Sequence, residues 1–198
     1  MVLLMKSLCI NQYSVIDIQQ KILVMAKMTV DTDKEVRDNA VQAMVGVLYM
    51  CTDEQLMRMI YVFTFLATKK GVSLKFLRAI NKADNIPDDF AEDPKTKALL
   101  ASDAIASLQE EKRTVIGVSG LVSLMLVLNY DTEEWMNKVI GIIMKFKKFN
   151  ETLKELIQTF VSRYGKTHLK TSNFSRVELD NEILELMKTG AKKLTYFA

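Results

Sequence analysis

Helix-breaking residues are scarce in this chain, and the few that occur are unevenly placed. Its 198 residues include 7 glycines and 2 prolines, and both prolines, Pro87 and Pro94, fall within one short stretch. Because glycine and proline interrupt helices most strongly, the chain can form long helices on both sides of that stretch. No Asn-Gly or Asp-Gly pair joins alternating apolar runs, so hairpin signals are missing. The sequence therefore predicts an all-α fold.

Capping residues and apolar spacing predict where the helices lie. Thr52, with Gln55 three residues later, forms a capping box for a helix over 53–69, which two lysines and Gly71 should end. Apolar residues three or four positions apart predict a helix over 33–51. The remaining predicted helices cover residues 14–28, 73–81, 95–111, 112–128, 132–148, 151–164 and 178–188. Gly165 is expected to end the helix that precedes it.

Paired helices joined by short turns are typical of α-solenoids. The segment 33–43 resembles the second helix of a HEAT repeat, in which an Asp and an Arg, here Asp33 and Arg37, bracket the turn. Residues 111–120 echo this pattern, and Gly117 and Gly120 should let a neighbouring helix approach closely. We predict a HEAT-like helical-hairpin solenoid over residues 1–190, with an acidic loop at 84–94 between two halves and a flexible tail at 191–198.

Charge and composition limit the class of partner only loosely. The net charge is +3, but residues 141–198 hold eleven bases against six acids. The acids of loop 84–94 lack EF-hand spacing and are expected to be solvated.

Cys9 and Cys51 are the only cysteines, which favours a reducing compartment. The longest apolar stretch, 115–128, is shorter than the ~20 residues that span a bilayer, so it is interpreted as a buried core helix.

Residues suited to catalysis or metal binding are few. His168 is the only histidine, and it stands in a polar segment that we expect to be a surface loop. Neither cysteine lies at a sequence spacing from His168 that is typical of a metal site, and the sequence contains no glycine-rich phosphate loop. We therefore predict that the chain is not an enzyme and binds no metal and no cofactor.

The last ninety residues carry motifs in a recognisable order. Asn129-Tyr130-Asp131-Thr132-Glu133-Glu134-Trp135-Met136 follows a small-residue helix, Thr152-Leu153-Lys154-Glu155 leads to Phe160 and Arg163, and the chain ends with Tyr196-Phe197-Ala198. In this order the region resembles the C-terminal domain of the giant HEAT-repeat proteasome activator family, the single-chain caps of the proteasome core particle. Members of that family carry tyrosine at the penultimate position, where this chain has Phe197.

This resemblance implies an ATP-independent activator that docks on the α-subunit ring of the core particle and promotes opening of its gate. The implied partner-binding residues are the tail residues Leu194, Thr195, Tyr196, Phe197 and Ala198. It also implies a nuclear and cytoplasmic location, and we expect no membrane partner. Two alternatives stay open: a generic HEAT scaffold that binds another protein, and a basic HEAT module that binds nucleic acid.

Overall fold

The structure, a computed structural model, describes residues 17–70, 90–127 and 134–170. Every regular element within these ranges is a helix, so the all-α prediction is confirmed there. The chain divides into two compact units, Met1–Val127 and Leu128–Ala198. The helices predicted over 73–81 and 178–188 and the tail 191–198 lie outside the described residues.

The described part of the first unit contains six α-helices and a short 3-10 turn. The helices are α1 (Ile18–Lys27), α2 (Lys34–Leu48), α3 (Asp53–Thr68), α4 (Pro94–Leu100), α5 (Asp103–Ala106) and α6 (Glu110–Val127), and the 3-10 turn is Met28–Val30. The first five α-helices begin at side chains that accept a hydrogen bond from a backbone N–H two or three residues on: Asp17, Asp33, Thr52, Asp93 and Ser102.

The capping box of α3 is confirmed, whereas its predicted end differs. Gln55 N donates to Thr52 Oγ1 at 3.3 Å, and Thr52 N donates to Gln55 Oε1 at 2.9 Å. At the other end, Lys69 itself takes the left-handed conformation, with φ 59° and ψ 8°. We expected glycine to supply this conformation at residue 71, which is not described. The N–H of Lys69 donates to Phe65 O at 2.8 Å and so satisfies a terminal carbonyl of the helix.

Helix α6 is the centre of the first unit. Every residue from Thr114 to Met125 is buried, as expected of a helix surrounded on all sides. It packs chiefly on α3 and also on α2 and α1. A Cβ atom on Gly117 would lie 2.7 Å from Phe63 O and 2.9 Å from Ala67 Cα. The prediction of a buried helix with a close neighbour at its small residues is therefore confirmed.

The single helix predicted over 95–111 is wrong, because the chain forms α4 and α5 there and restarts at α6. Ser102 interrupts the helix in two ways. Its Oγ accepts from Ala104 N at 3.4 Å and donates to Gln20 Oε1 on α1 at 3.0 Å. A serine side chain that bonds nearby backbone competes with the helix, and the tertiary bond to Gln20 favours the break.

The described part of the second unit is a pair of helices, α7 (Glu134–Lys145) and α8 (Glu151–Lys170), joined by a turn at 146–149. Asn150 Oδ1 accepts from Leu153 N at 2.9 Å at the start of α8. Helix α8 continues through Gly165, so the predicted stop at that residue is wrong. Glycine permits the left-handed helix end but does not impose it. The backbone of His168 is therefore helical and does not form the predicted loop.

Candidate functional site

The residues predicted to contact a partner, Leu194, Thr195, Tyr196, Phe197 and Ala198, lie outside the described residues. Other parts of the family pattern fall on α7 and α8: Trp135 and Met136 are near the start of α7, and Phe160 and Arg163 are on α8. Met136 and Phe160 are fully buried, whereas Arg163 is exposed. The described residues also hold three notable groups of polar or exposed side chains.

The first group surrounds Arg58, whose side chain is only 2% exposed on α3. Its Nε donates to Asp93 Oδ2 at 3.0 Å, its Nη1 to Gln19 Oε1 at 3.2 Å, and its Nη2 to Glu54 Oε1 at 2.6 Å. The ring of Phe90 lies over the guanidinium, with 5.8 Å between Cζ and the ring centroid. Because these partners come from α1, α3 and the segment before α4, the cluster holds three parts of the first unit together.

Asp93 is central to this cluster because it both pairs with Arg58 and caps α4. Its Oδ2 accepts from the N–H and the hydroxyl of Thr96, each at 2.9 Å. Burial raises the pKa of the Asp93 carboxyl, but the hydrogen bonds from Thr96 and Arg58 and the charge of Arg58 outweigh burial and lower that pKa below its ordinary value. Asp93 is therefore ionised at neutral pH.

At the described end of the acidic loop, residues 90–94, the prediction that its acids are solvated holds for Glu92 and is wrong for Asp93. Phe90 is 1% exposed and the side chain of Asp93 is 13% exposed, although Glu92 remains in solvent. The physical reason is the buried cation of Arg58, which needs a carboxylate to compensate its lost hydration. Proximity along the chain gave no sign of this pairing, since 35 positions separate the two residues.

The Arg58 cluster is suited to holding helices and not to chemical reaction. Its cation is enclosed, and no serine or cysteine nucleophile is paired with a base in it. Within residues 17–70, 90–127 and 134–170, no group of three or more metal-ligating side chains could hold a metal ion. In the same ranges, no helix combines the length and apolar character required to cross a bilayer.

The second group consists of two arginines that occupy the fourth residue of α2 and of α6. Arg37 Nη1 donates to the main-chain oxygens of Asp31 and Thr32, at 3.0 and 2.9 Å. Arg113 Nη2 donates to the main-chain oxygen of Ala106 at 2.5 Å. Each arginine thus reaches back to close the turn that precedes its helix. The same arginine-to-main-chain hydrogen bonding therefore occurs in both segments whose sequences resemble each other, 33–43 and 111–120.

The third group consists of side chains in turns, mainly aromatic and basic, all of them exposed except Lys147, which is half-buried. Tyr49 and Met50, between α2 and α3, are 80% and 41% exposed. Between α7 and α8, Phe149 is 44% exposed and stands in a segment with three lysines, Lys145, Lys147 and Lys148. We call residues 145–149 the basic-aromatic turn.

The sequence analysis counted the lysines of this turn only among the bases of residues 141–198, and it missed the Arg58 cluster. A signal for the cluster was present: Arg58 is the one charged residue within an apolar run from Leu56 to Phe63. A lone charge in such a run indicates a buried ion pair, because an unpaired charge would not be tolerated there. Identifying Asp93 as its partner required the tertiary structure.

The described residues therefore define an all-α protein whose buried polar groups serve packing and turn closure, with exposed aromatics at two turns. No protein-family model, curated protein or solved structure matches this chain.

Proposed function

We propose that this chain binds the proteasome core particle as the C-terminal region of an activator of the giant HEAT-repeat type. The observation that carries the proposal is the order of motifs along the last ninety residues, from Tyr130-Asp131 and Trp135-Met136 to the ending Tyr196-Phe197-Ala198. The all-helical framework is compatible with a HEAT-like solenoid. Arg37 and Arg113 make equivalent hydrogen bonds to the main chain of the turn that precedes their helices, and this equivalence supports repeated helical hairpins within the solenoid.

In the proposed mechanism, Tyr196, Phe197 and Ala198 enter a pocket between two α subunits of the core particle. The terminal carboxylate pairs with a lysine of that pocket, a known way of capturing chain ends, while the aromatic rings are buried. Binding shifts the gate residues toward the open state without ATP. Only differential affinity for the open gate can drive this shift, so the tail must bind the open form more tightly.

Phe197 makes a quantitative test possible. A tyrosine hydroxyl at this position would add one hydrogen bond, worth about 1 kcal/mol, or roughly fivefold in affinity. We therefore expect Phe197→Tyr to tighten binding to the core particle by about that factor. Deletion of residues 196–198 should abolish both association and stimulation of fluorogenic-peptide hydrolysis. The matched control is Tyr49→Ala, which removes an exposed aromatic from a turn of the first unit.

Co-sedimentation with purified core particle, together with the peptidase assay, distinguishes the outcomes. Loss of binding on tail deletion but not in Tyr49→Ala supports the proposal. Binding that survives deletion and is lost in Tyr49→Ala favours the scaffold alternative, with the α2–α3 turn as the contact. Absence of binding by the intact, folded chain contradicts the proposed partner.

A further inference from the structure

The basic-aromatic turn combines positive charge that the described fold leaves uncompensated with an exposed aromatic ring. Lys145, Lys147 and Lys148 form no ion pair with the carboxylates of the described residues. Glu151, the first acid after the turn, is bound by Lys154 Nζ at 2.9 and 3.1 Å. Three ammonium groups within four residues are therefore available to an anion outside this part of the chain.

The aromatic component of the turn is held in place by the fold. The rings of Phe146 and Phe149 meet edge to face, with 5.8 Å between centroids and 71° between planes. The backbone of the turn is also bonded, since Phe149 N donates to Phe146 O at 3.0 Å and Phe146 N donates to Ile143 O at 3.1 Å. A ring fixed in this way loses little conformational freedom when it stacks on a planar ligand.

Two kinds of anionic surface could engage lysines beside a phenylalanine, and the structure favours one. A lipid surface requires a stripe of apolar side chains, yet Phe149 is the only exposed large hydrophobic side chain among residues 136–164, the part of the second unit whose side chains the structure describes. Single-stranded nucleic acid instead needs one π-face for each stacked base, with cations near the flanking phosphates. The composition of the turn meets the second requirement and not the first.

We propose that residues 145–149 bind single-stranded nucleic acid, with Phe149 stacking on one base and Lys145, Lys147 and Lys148 contacting the phosphates on either side of it. Binding is independent of sequence, because every base offers a π-face and the lysines contact only the backbone. This activity is separate from the proposed docking of the tail, and neither requires the other.

The test uses the full chain and a fluorescein-labelled oligothymidylate of about twelve nucleotides, with affinity measured by fluorescence anisotropy over a series of salt concentrations. Three phosphate contacts predict a slope of about −2 when log K is plotted against log salt concentration. Replacing Lys145, Lys147 and Lys148 by alanine should bring this slope close to zero. The matched control replaces three exposed lysines of the first unit, Lys27, Lys95 and Lys112, and removes the same total charge.

The role of the ring is tested separately. Phe149→Ala should weaken binding between about 5-fold and 150-fold while leaving the salt slope unchanged, because stacking releases no counterions. Phe149→Tyr retains the ring and should bind like the unaltered chain. Circular dichroism checks that each variant is folded, since Lys145, Lys148 and Phe149 are exposed but Lys147 is half-buried.

Several outcomes would overturn the proposal. The oligonucleotide could fail to bind even at low salt, or the control triple could reduce the slope as much as the turn triple. The chain could also bind phosphatidylserine vesicles through Phe149 and not bind the oligonucleotide, which would assign the turn to a lipid surface. Loss of tail-dependent proteasome binding would leave this result untouched, so the two proposals fail independently.

Discussion

The close approach of α3 and α6 at Gly117 predicts that alanine is not tolerated there. The added Cβ would meet three main-chain atoms of α3: Ala67 N, Phe63 O at 2.7 Å and Ala67 Cα at 2.9 Å. Because backbone atoms cannot move aside by changing rotamer, the two helices would have to separate. We place the packing cost at about 3 kcal/mol, the upper end for overpacked cores. Alanine regains about 1 kcal/mol of helix propensity, so the net loss of unfolding free energy should be about 2 kcal/mol.

Urea unfolding followed by far-ultraviolet circular dichroism measures this loss. A change of this size lowers the unfolding midpoint by about 1 M urea at the m-values usual for small domains. The matched control is Gly46→Ala, at a half-buried glycine within α2. It carries the same gain in propensity and should raise the midpoint. If Gly117→Ala proves as stable as the unaltered chain while Gly46→Ala is stabilised, the described contact between α3 and α6 is incorrect.

Three further predictions concern the polar groups. Arg58→Met leaves the carboxylate of Asp93 partly buried without its cation, so the unfolding free energy should fall by roughly 3 kcal/mol, and adding Asp93→Asn should recover part of it; no recovery would contradict the pairing. Because the pKa of Asp93 is lowered in the folded state, its carboxylate stabilises the fold above about pH 4 and loses this contribution as the pH falls through the folded-state pKa. When unfolding free energy is measured against pH in the acid range, the curve for Asp93→Asn should therefore be flatter than that of the unaltered chain. Thr52→Ala removes a capping bond of α3 and should cost about 1 kcal/mol in the same assay, whereas exposed Thr32→Ala should cost almost nothing; equal effects would argue against the cap.

Local signals predicted the parts of the fold that depend on a few neighbouring residues. The Thr52–Gln55 capping box lies within one helical turn, and its sequence pattern specifies its geometry. The buried helix over the apolar stretch at 115–128 followed from composition alone. Two local predictions were wrong: a continuous helix was predicted where the chain breaks at Ser102, and a helix end was predicted at Gly165, where the helix continues. In both cases the local preference is weak, and at Ser102 the contact with Gln20 contributes to the outcome.

Features that depend on distant residues could not be predicted in this way. Asp93 was grouped with the other acids of its loop because nothing in the sequence connects it with Arg58. Compensation of a buried charge is decided by which segments meet in space, and charge patterns along the chain do not contain that information. The tail residues 194–198 remain a prediction from resemblance, as does the partner that they imply.

The enclosure of α6 from Thr114 to Met125 has a consequence for which substitutions the chain can accept. An amphipathic helix tolerates change at the positions that face solvent, so its tolerance to substitution rises and falls with a period of 3.6 residues. From Thr114 to Met125 no position faces solvent, and this period should vanish. A residue-by-residue substitution map should therefore show tolerance that varies with the helical period along α2. Along α6 it should show a uniform block of intolerance from Thr114 to Met125, in which even Ser119 and Ser123 accept only small residues.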